Sequence, residues 1–524
     1  MGHPRGQGLR ISGLLLTTVL AVAGFQTPAA GAGREALTLA IGGEPETGFD
    51  PVLGWGAYGN PLFQSTLLRR DAALEIQPDL ATDWQLSDDR KTWTITLRDD
   101  VRFSDGTPLT ARDVAFTFNT AKAAAGVVDL EVMERAEALD DRTVRITLSR
   151  PWITFTENLL TLGIVPERAY GPDYARAPIG SGPYRFLSWT EGEQLIVERN
   201  EHYYGTPGAF QRITFLFTGE DAGLAAAHAG AVDMVAVPAA LADAVPDGFH
   251  ALTVKTVDNR GLSLPFPEPR EEDGRRIGNA VTSDPAIRRA MNLGIDRDVV
   301  VDVALLGHGT PAFGPVDGLV WAGPDDKVEY DPEAAAALLD AAGWQPGPDG
   351  VRVKDGVRAE FPINYPASDA TRQALAETTA ELLRPLGIHA TPRGGSWDAI
   401  GRVMHSEPVI FGFGSHSPWQ LYSLYAERLG GVGYMNPTYY ANPEVGALFD
   451  EAQSAESYEA SIPSWSAAAE HYGVAGDNAW LWLVNLDHVY LVNDCLDPGP
   501  PQIEPHGHGW PITATLADWA WTCD

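Results

Sequence analysis

The chain has 524 residues and a formal net charge of −33. That length exceeds what one hydrophobic core usually serves, so two or more lobes are expected. The charge excludes nucleic acid and anionic lipid as binding partners. An apolar fraction of 44%, with 15 Trp, 16 Tyr and 18 Phe, excludes general disorder and supplies an aromatic-lined cleft.

In chain order, Arg5 and Arg10 precede the apolar stretch ISGLLLTTVLAVAGF (11–25), which is short for a membrane span and is followed by the small residues Ala30-Gly31-Ala32. This pattern predicts a secretory signal peptide over 1–32, cut near Ala32. No cysteine follows the apolar run, so no lipid anchor is expected. Removing the two arginines makes the remaining chain still more acidic.

Trp93, Ile95 and Leu97 alternate with threonines, the period of a half-buried strand. Asp105-Gly106 makes a turn. Thr110 followed by Asp113 resembles a capping box, with Val114 and Phe118 on one helical face. Val144, Ile146 and Leu148 mark a second strand. Helices are predicted over 331–344, from Asp331 to a stop at Gly343, and over 371–387. The stretch 264–276, with three prolines and a charge run, reads as a connector. The organisation is mixed α/β without internal repeats. Cys495 and Cys523 are the only cysteines; in an oxidising compartment they are expected to bridge, the alternative being two free thiols.

No His-Glu-x-x-His, Gly-x-Ser-x-Gly, Gly-Lys-Ser/Thr phosphate loop or cysteine-nucleophile context is present. No enzyme is therefore expected, and a secreted hydrolase is kept as the alternative from another class.

Five segments carry a resemblance. IQPDLATDWQLSDDRKTWTITLRDDVRFSDGTPLTARDVAFTFNTAK (76–122), PIGSGPYRFLSWTEGEQLIVERNEHYYG (178–205), IRRAMNLGIDRDVVVDVALLGHGTPAFGPV (287–316), YDPEAAAALLDAAGW (330–344) and YMNPTYYANPEVGALFDEA (434–452) look like the extracytoplasmic solute-binding proteins of the peptide/nickel ABC importer family. The resemblance implies a two-lobed periplasmic binding protein fold with an additional subdomain inserted in the first lobe. It implies a first lobe built from 33–69, 181–262 and 483–524, an inserted subdomain at 70–180 and a second lobe at 263–482. Hinges are then expected near Gly261–Phe266 and Leu481–Asp487. It further implies a monomeric periplasmic receptor that closes on a small ligand and delivers it to an ABC permease.

Peptide-binding relatives carry a motif like Gly-Trp-x-x-Asp-Tyr-Pro-Asp-Pro, whose first aspartate pairs with the peptide α-amino group. In GFGSHSPWQ (412–420) that position falls on His416, and the second aspartate on Trp419. A neutral imidazole lacks the fixed negative charge that a desolvated ammonium requires. Histidine is a common metal ligand, and nickel-binding relatives use histidines and aromatic residues around a metal chelate. His506 and His508 in EPHGHGWP (504–511) could point to one side of an extended backbone. A nickel chelate is thus the favoured cargo, held by His416, His506 and His508, with no catalytic cofactor, and a di- or oligopeptide is the alternative. A hydrogen-bonding turn for His416 and a surface loop for His506 and His508 remain open. His488, among alternating apolar residues, reads as a satisfied strand residue. Trp55, Tyr58, Trp419 and Tyr422 are candidate cleft aromatics, with core as the other reading. Arg260 could clamp a ligand carboxylate or join a surface ion pair.

Overall fold

A computed structural model describes residues 34–125, 128–323, 327–507 and 509–523. The expected signal peptide and His508 lie outside the described residues. Among those described, no helix is long and apolar enough to cross a membrane.

Three sheets organise the chain. The largest has seven strands in the order Phe249–Val254, His488–Asn493, Met234–Val237, Ala36–Ala40, Arg212–Leu216, Gln194–Arg199 and Tyr184–Thr190. Its strands come from distant parts of the sequence, so residues 36–40, 184–254 and 488–493 form one body. The two-residue period puts Leu37 and Leu39 on one face, where they bury against Phe49, Trp55 and Trp510, while Ala40 joins Val235 and Leu491 on the other.

A four-stranded antiparallel sheet, Ala81–Leu86, Thr92–Leu97, Thr143–Leu148 and Met133–Ala138, lies within the long excursion between Ala36–Ala40 and Tyr184–Thr190. Trp93, Ile95 and Leu97 are buried in it, as are Val144, Ile146 and Leu148 of the strand beside them. Helix Ala111–Ala124 opens with a capping box: the Thr110 amide donates to Asp113 Oδ2 at 2.9 Å, and Val114 and Phe118 are fully buried. This subdomain shares a continuous apolar core with the far body, joining Phe118, Trp152 and Phe155 to Tyr422, Phe449 and Trp465.

The far body is built on the strands Gly309–Pro311, Trp480–Leu486, Asn259–Ser263 and Ile410–Phe413, in that order. Helices Pro332–Ala341 and Ala370–Leu383 belong to it, capped by Asp331 and Asp369. Gly343 adopts φ +89°, the left-handed conformation of a helix stop. The proposed connector at 264–276 is partly ordered as a hairpin, Arg270–Glu272 against Arg275–Ile277, turning at Asp273-Gly274.

The chain passes between the large sheet and the far sheet twice, at 255–258 and at Asp487. The first crossing precedes the expected Gly261–Phe266. The reason is that Asn259–Ser263 is hydrogen-bonded on both sides, to Ile410–Phe413 and to Trp480–Leu486, and is wholly buried in the far sheet. The second falls at the end of the expected Leu481–Asp487. Cys495 and Cys523 are disulfide-bonded with Cα atoms 5.1 Å apart, and close the tail into a loop.

Candidate functional site

The two crossings and the tail meet at a buried cluster of charges. Asp258 sits two residues before Arg260, and the strand period turns both to the same side. The Arg260 guanidinium donates to both oxygens of Asp258 and, at 2.8 Å, to the Asn259 carbonyl. His506 Nδ1 donates to Asp258 Oδ1 at 2.6 Å and His488 Nε2 to Asp258 Oδ2 at 3.1 Å. His488 Nδ1 donates to Glu504 Oε2 at 2.6 Å, and the Tyr490 hydroxyl donates to the same oxygen at 2.9 Å.

Burial opposes the charge on Asp258, yet Arg260 and the two histidines hold its carboxyl well below the usual range. Burial likewise resists a charged His488, but hydrogen bonds from two carboxylates raise it to about 9. His506 goes the other way: burial lowers it, and Arg260 and Arg372 add to that against the pull of Asp258. The cluster balances as two anions, Asp258 and Glu504, against two cations, Arg260 and His488, with His506 neutral.

The turn that follows strand Ile410–Phe413 passes directly over this cluster, and two glycines permit it. A Cβ on Gly412 would lie 2.5 Å from Arg260 Nη1, and one on Gly414 would lie 2.6 Å from the Val257 carbonyl oxygen. The Gly414 carbonyl accepts from the His506 amide at 2.9 Å, which lays the tail against the turn. His416 Nε2 donates to the Ile503 carbonyl at 2.9 Å. That bond fixes the proton on Nε2 and leaves the lone pair on Nδ1. Burial, with the Arg70 guanidinium nearby, pushes His416 down to about 4, so its imidazole is neutral at physiological pH. The Ser417 hydroxyl then accepts from the Trp419 amide at 3.1 Å and starts helix Trp419–Tyr425.

Two adjoining cavities lie between this turn and the opposite body. The larger is about 530 Å³ and open to solvent; Tyr58, Arg69, Arg98, Tyr203, Tyr204 and His416 are among its walls. The smaller is about 80 Å³ and is lined by Trp55, Asp129, Thr154, Asn158, Ser417 and Trp419. Ala57, Glu157, Thr161 and Ser415 belong to both walls. Contacts across the cleft hold the bodies together around them. Tyr458 donates to Glu157, which also accepts from Arg70 on its own side at 2.6 Å, Thr154 donates to Gln453 at 2.9 Å, and Arg428 pairs with Glu131 at 2.5 Å.

The residues singled out from sequence divide between these places. Tyr58, Arg260 and His506 converge on Asp258: the Tyr58 ring lies 5.7 Å from that of His506, and burial with the Asp258 charge raises its hydroxyl to about 12. Arg260 is committed inside the protein, where its guanidinium is paired with Asp258 and lines neither cavity. His416 and Trp419 face the cleft. Trp55 serves core and cleft together; its indole donates to the Pro61 carbonyl at 2.6 Å and packs edge-on against Phe49 and Trp510. Tyr422 lies beneath Trp419, stacked on it at 5.2 Å, with its hydroxyl accepting from Arg428. Among the described residues no group of three or more His, Cys, Asp or Glu is placed to hold a metal ion. Sequence reasoning passed over Asp129, Glu157, Asp258 and Glu504. Of these only Asp258 carried a signal, its i, i+2 spacing to Arg260.

The sequence profile of the bacterial extracellular solute-binding proteins, family 5 (middle), matches residues 75–468. The chain belongs to this family. Protein XP55 of Streptomyces lividans is 33% identical over 493 residues, covering 90% of this chain and 87% of that protein. Among solved structures, NikZ from Campylobacter jejuni in complex with Ni(L-His) superimposes with a TM-score of 0.79 at 24% identity, covering 93% of this chain and 99% of that one. The oligopeptide-binding protein AppA from Bacillus subtilis, in complex with a nonapeptide, gives 0.74 at 21%, covering 94% and 100%. The fold is therefore the two-lobed periplasmic binding protein fold, and the family is one of extracytoplasmic receptors for ABC importers.

Proposed function

We propose that this member captures a peptide-sized polar solute in the cleft beneath the 415–419 turn and presents it to a membrane permease. The lobes divide, on this reading, at 255–258 and Asp487, and closure about those crossings assembles the walls of both cavities from two bodies. The observation that carries the reading is the cavity of about 530 Å³, with tyrosines, arginines and a neutral histidine on its walls, adjoining a smaller pocket. That volume fits a small organic solute, and its polar walls suit amide and carboxylate groups. A relative that binds a nonapeptide on the same fold supports the class. The receptor acts as a monomer outside the cytoplasm.

A nickel chelate is the second reading, and among the described residues it rests on His416. His416 offers a neutral imidazole with its Nδ1 lone pair unprotonated, whereas His506 spends Nδ1 on Asp258. A single imidazole can complete the coordination of a metal whose other ligands come from the chelator.

Melting curves and calorimetry on the secreted protein separate the two. A mixture of unmodified di- to pentapeptides should raise the melting temperature by a few degrees, because a ligand at a hundred times its Kd adds about 2.7 kcal/mol to the native state. A rise with nickel plus free histidine and none with any peptide would put the chelate first.

A further inference from the structure

The smaller pocket holds two carboxylates whose circumstances differ. Glu157 is answered by Arg70 at 2.6 Å and by the Tyr458 hydroxyl. Asp129 is answered by nothing comparable. Among the described residues its carboxylate accepts one hydrogen bond, from the Glu131 amide at 3.3 Å, and no cation forms an ion pair with it. The two arginines that act on it from a distance are engaged elsewhere: Arg428 pairs with Glu131, and Arg150 lies over the Trp152 ring at 4.1 Å. The turn across the pocket contributes Ser415, Ser417 and Trp419, and no charge. Burial raises the Asp129 carboxyl above its ordinary value, which marks an anion short of a counter-charge.

We infer that the smaller pocket is an ammonium subsite, in which Asp129 receives a protonated amine of the solute beside Trp419 while the remainder of the solute occupies the larger cavity. A volume of about 80 Å³ admits an amine head group and excludes a whole solute. The indole of Trp419, already stacked on Tyr422, adds an aromatic wall, and cations are attracted to aromatic faces. Desolvating an ammonium is costly without an anion, so a fixed carboxylate makes the pocket selective for amines over neutral isosteres. The inference rests on the cleft being the solute site and specifies which chemical group enters first.

The probes are a mixture of unmodified tripeptides, the same mixture N-acetylated, and the simple amines butylamine and cadaverine. Each is titrated into the wild-type protein and into Asp129→Asn, which keeps the shape and can still accept from the Glu131 amide. Acetylation should weaken wild-type binding at least ten-fold, and Asp129→Asn should do the same to unmodified peptides. In the variant the two peptide mixtures should differ by less than three-fold, because the charge that distinguished them is gone. Wild-type binding should also weaken as acid protonates Asp129, with Glu131, Glu157, Arg150 and Arg428 as the surrounding charges. Peptides that bind equally well with and without the acetyl group overturn the subsite and leave the peptide reading standing. Simple amines that bind through Asp129 when no peptide does support the subsite and overturn that reading. Failure of every amine-bearing probe to bind the wild type overturns the inference, and the acetylation comparison decides the matter even if the variant does not fold.

Discussion

His488 is largely shielded from solvent and His416 is buried, yet they carry opposite charge states. His488 lies where the chain crosses between bodies, clamped between Asp258 and Glu504, and is held protonated to about pH 9. His416 lies in the cleft turn beside Arg70, donates once to a carbonyl, and stays neutral down to about pH 4. Burial acts on both in the same direction, against charge. What decides the outcome is whether a carboxylate or a guanidinium stands beside the ring. The crossing is thus built as an ionic knot of paired charges, and the cleft keeps a neutral ring.

Breaking the knot at its centre should produce the largest effect. Asp258 accepts from Arg260, His488 and His506 in a buried setting, so Asp258→Ala leaves the Arg260 guanidinium without its carboxylate and His488 with Glu504 alone. A loss of about 3–5 kcal/mol is expected, read as a shift in urea midpoint. A loss under 1 kcal/mol would mean that the cluster is open to solvent and the comparison fails.

The next test isolates the protonated histidine. The folded-state pKa of His488 lies above its ordinary 6.5, so the stability it contributes is complete below pH 6.5 and is lost as pH rises through about 9. His488→Gln should therefore cost on the order of 3 kcal/mol at pH 6 and far less at pH 10. Urea titrations of both proteins at the two pH values give the difference, and a gap that does not narrow with rising pH would place a neutral ring there.

Much of the fold was legible because it follows local periodicity. The alternation at Trp93, Ile95 and Leu97, the capping box at Thr110 and Asp113, and the Asp331-to-Gly343 helix each state their own geometry within a few residues. The long-range matches along the chain then supplied the family and the two lobes. The site was only partly legible. His416 and Trp419 could be placed on a cleft turn from the segment they occupy, but what His416 touches is set by the tail, 87 residues further on at the Ile503 carbonyl. For Arg260 the sequence leaves a ligand clamp and a surface ion pair open; it forms an ion pair, but a buried one, with Asp258 two residues away. Asp129 had no sequence signal, since its distinction is the lack of an ion-pair partner among the described residues, and only three-dimensional placement reveals that.

The smallest effect is expected at His416, and its sign is the informative part. His416→Phe removes one hydrogen bond to the Ile503 carbonyl and keeps an aromatic ring in the space, so near pH 7.5 it should cost about 1 kcal/mol. The folded-state pKa lies below the ordinary 6.5, which means that the native state favours the neutral ring. Stability tied to that preference is complete above pH 6.5 and is lost as pH falls through about 4. Phenylalanine does not titrate, so the variant escapes this loss, and its deficit relative to wild type should shrink below pH 6.5 and reverse well before pH 4 is reached. That slope is opposite to the one at His488 and arises on the other side of neutrality. Denaturation series from pH 7.5 to 4 would show it directly. A variant whose deficit grows as the pH falls would show that His416 is charged in the native protein, with a carboxylate rather than Arg70 as its effective neighbour.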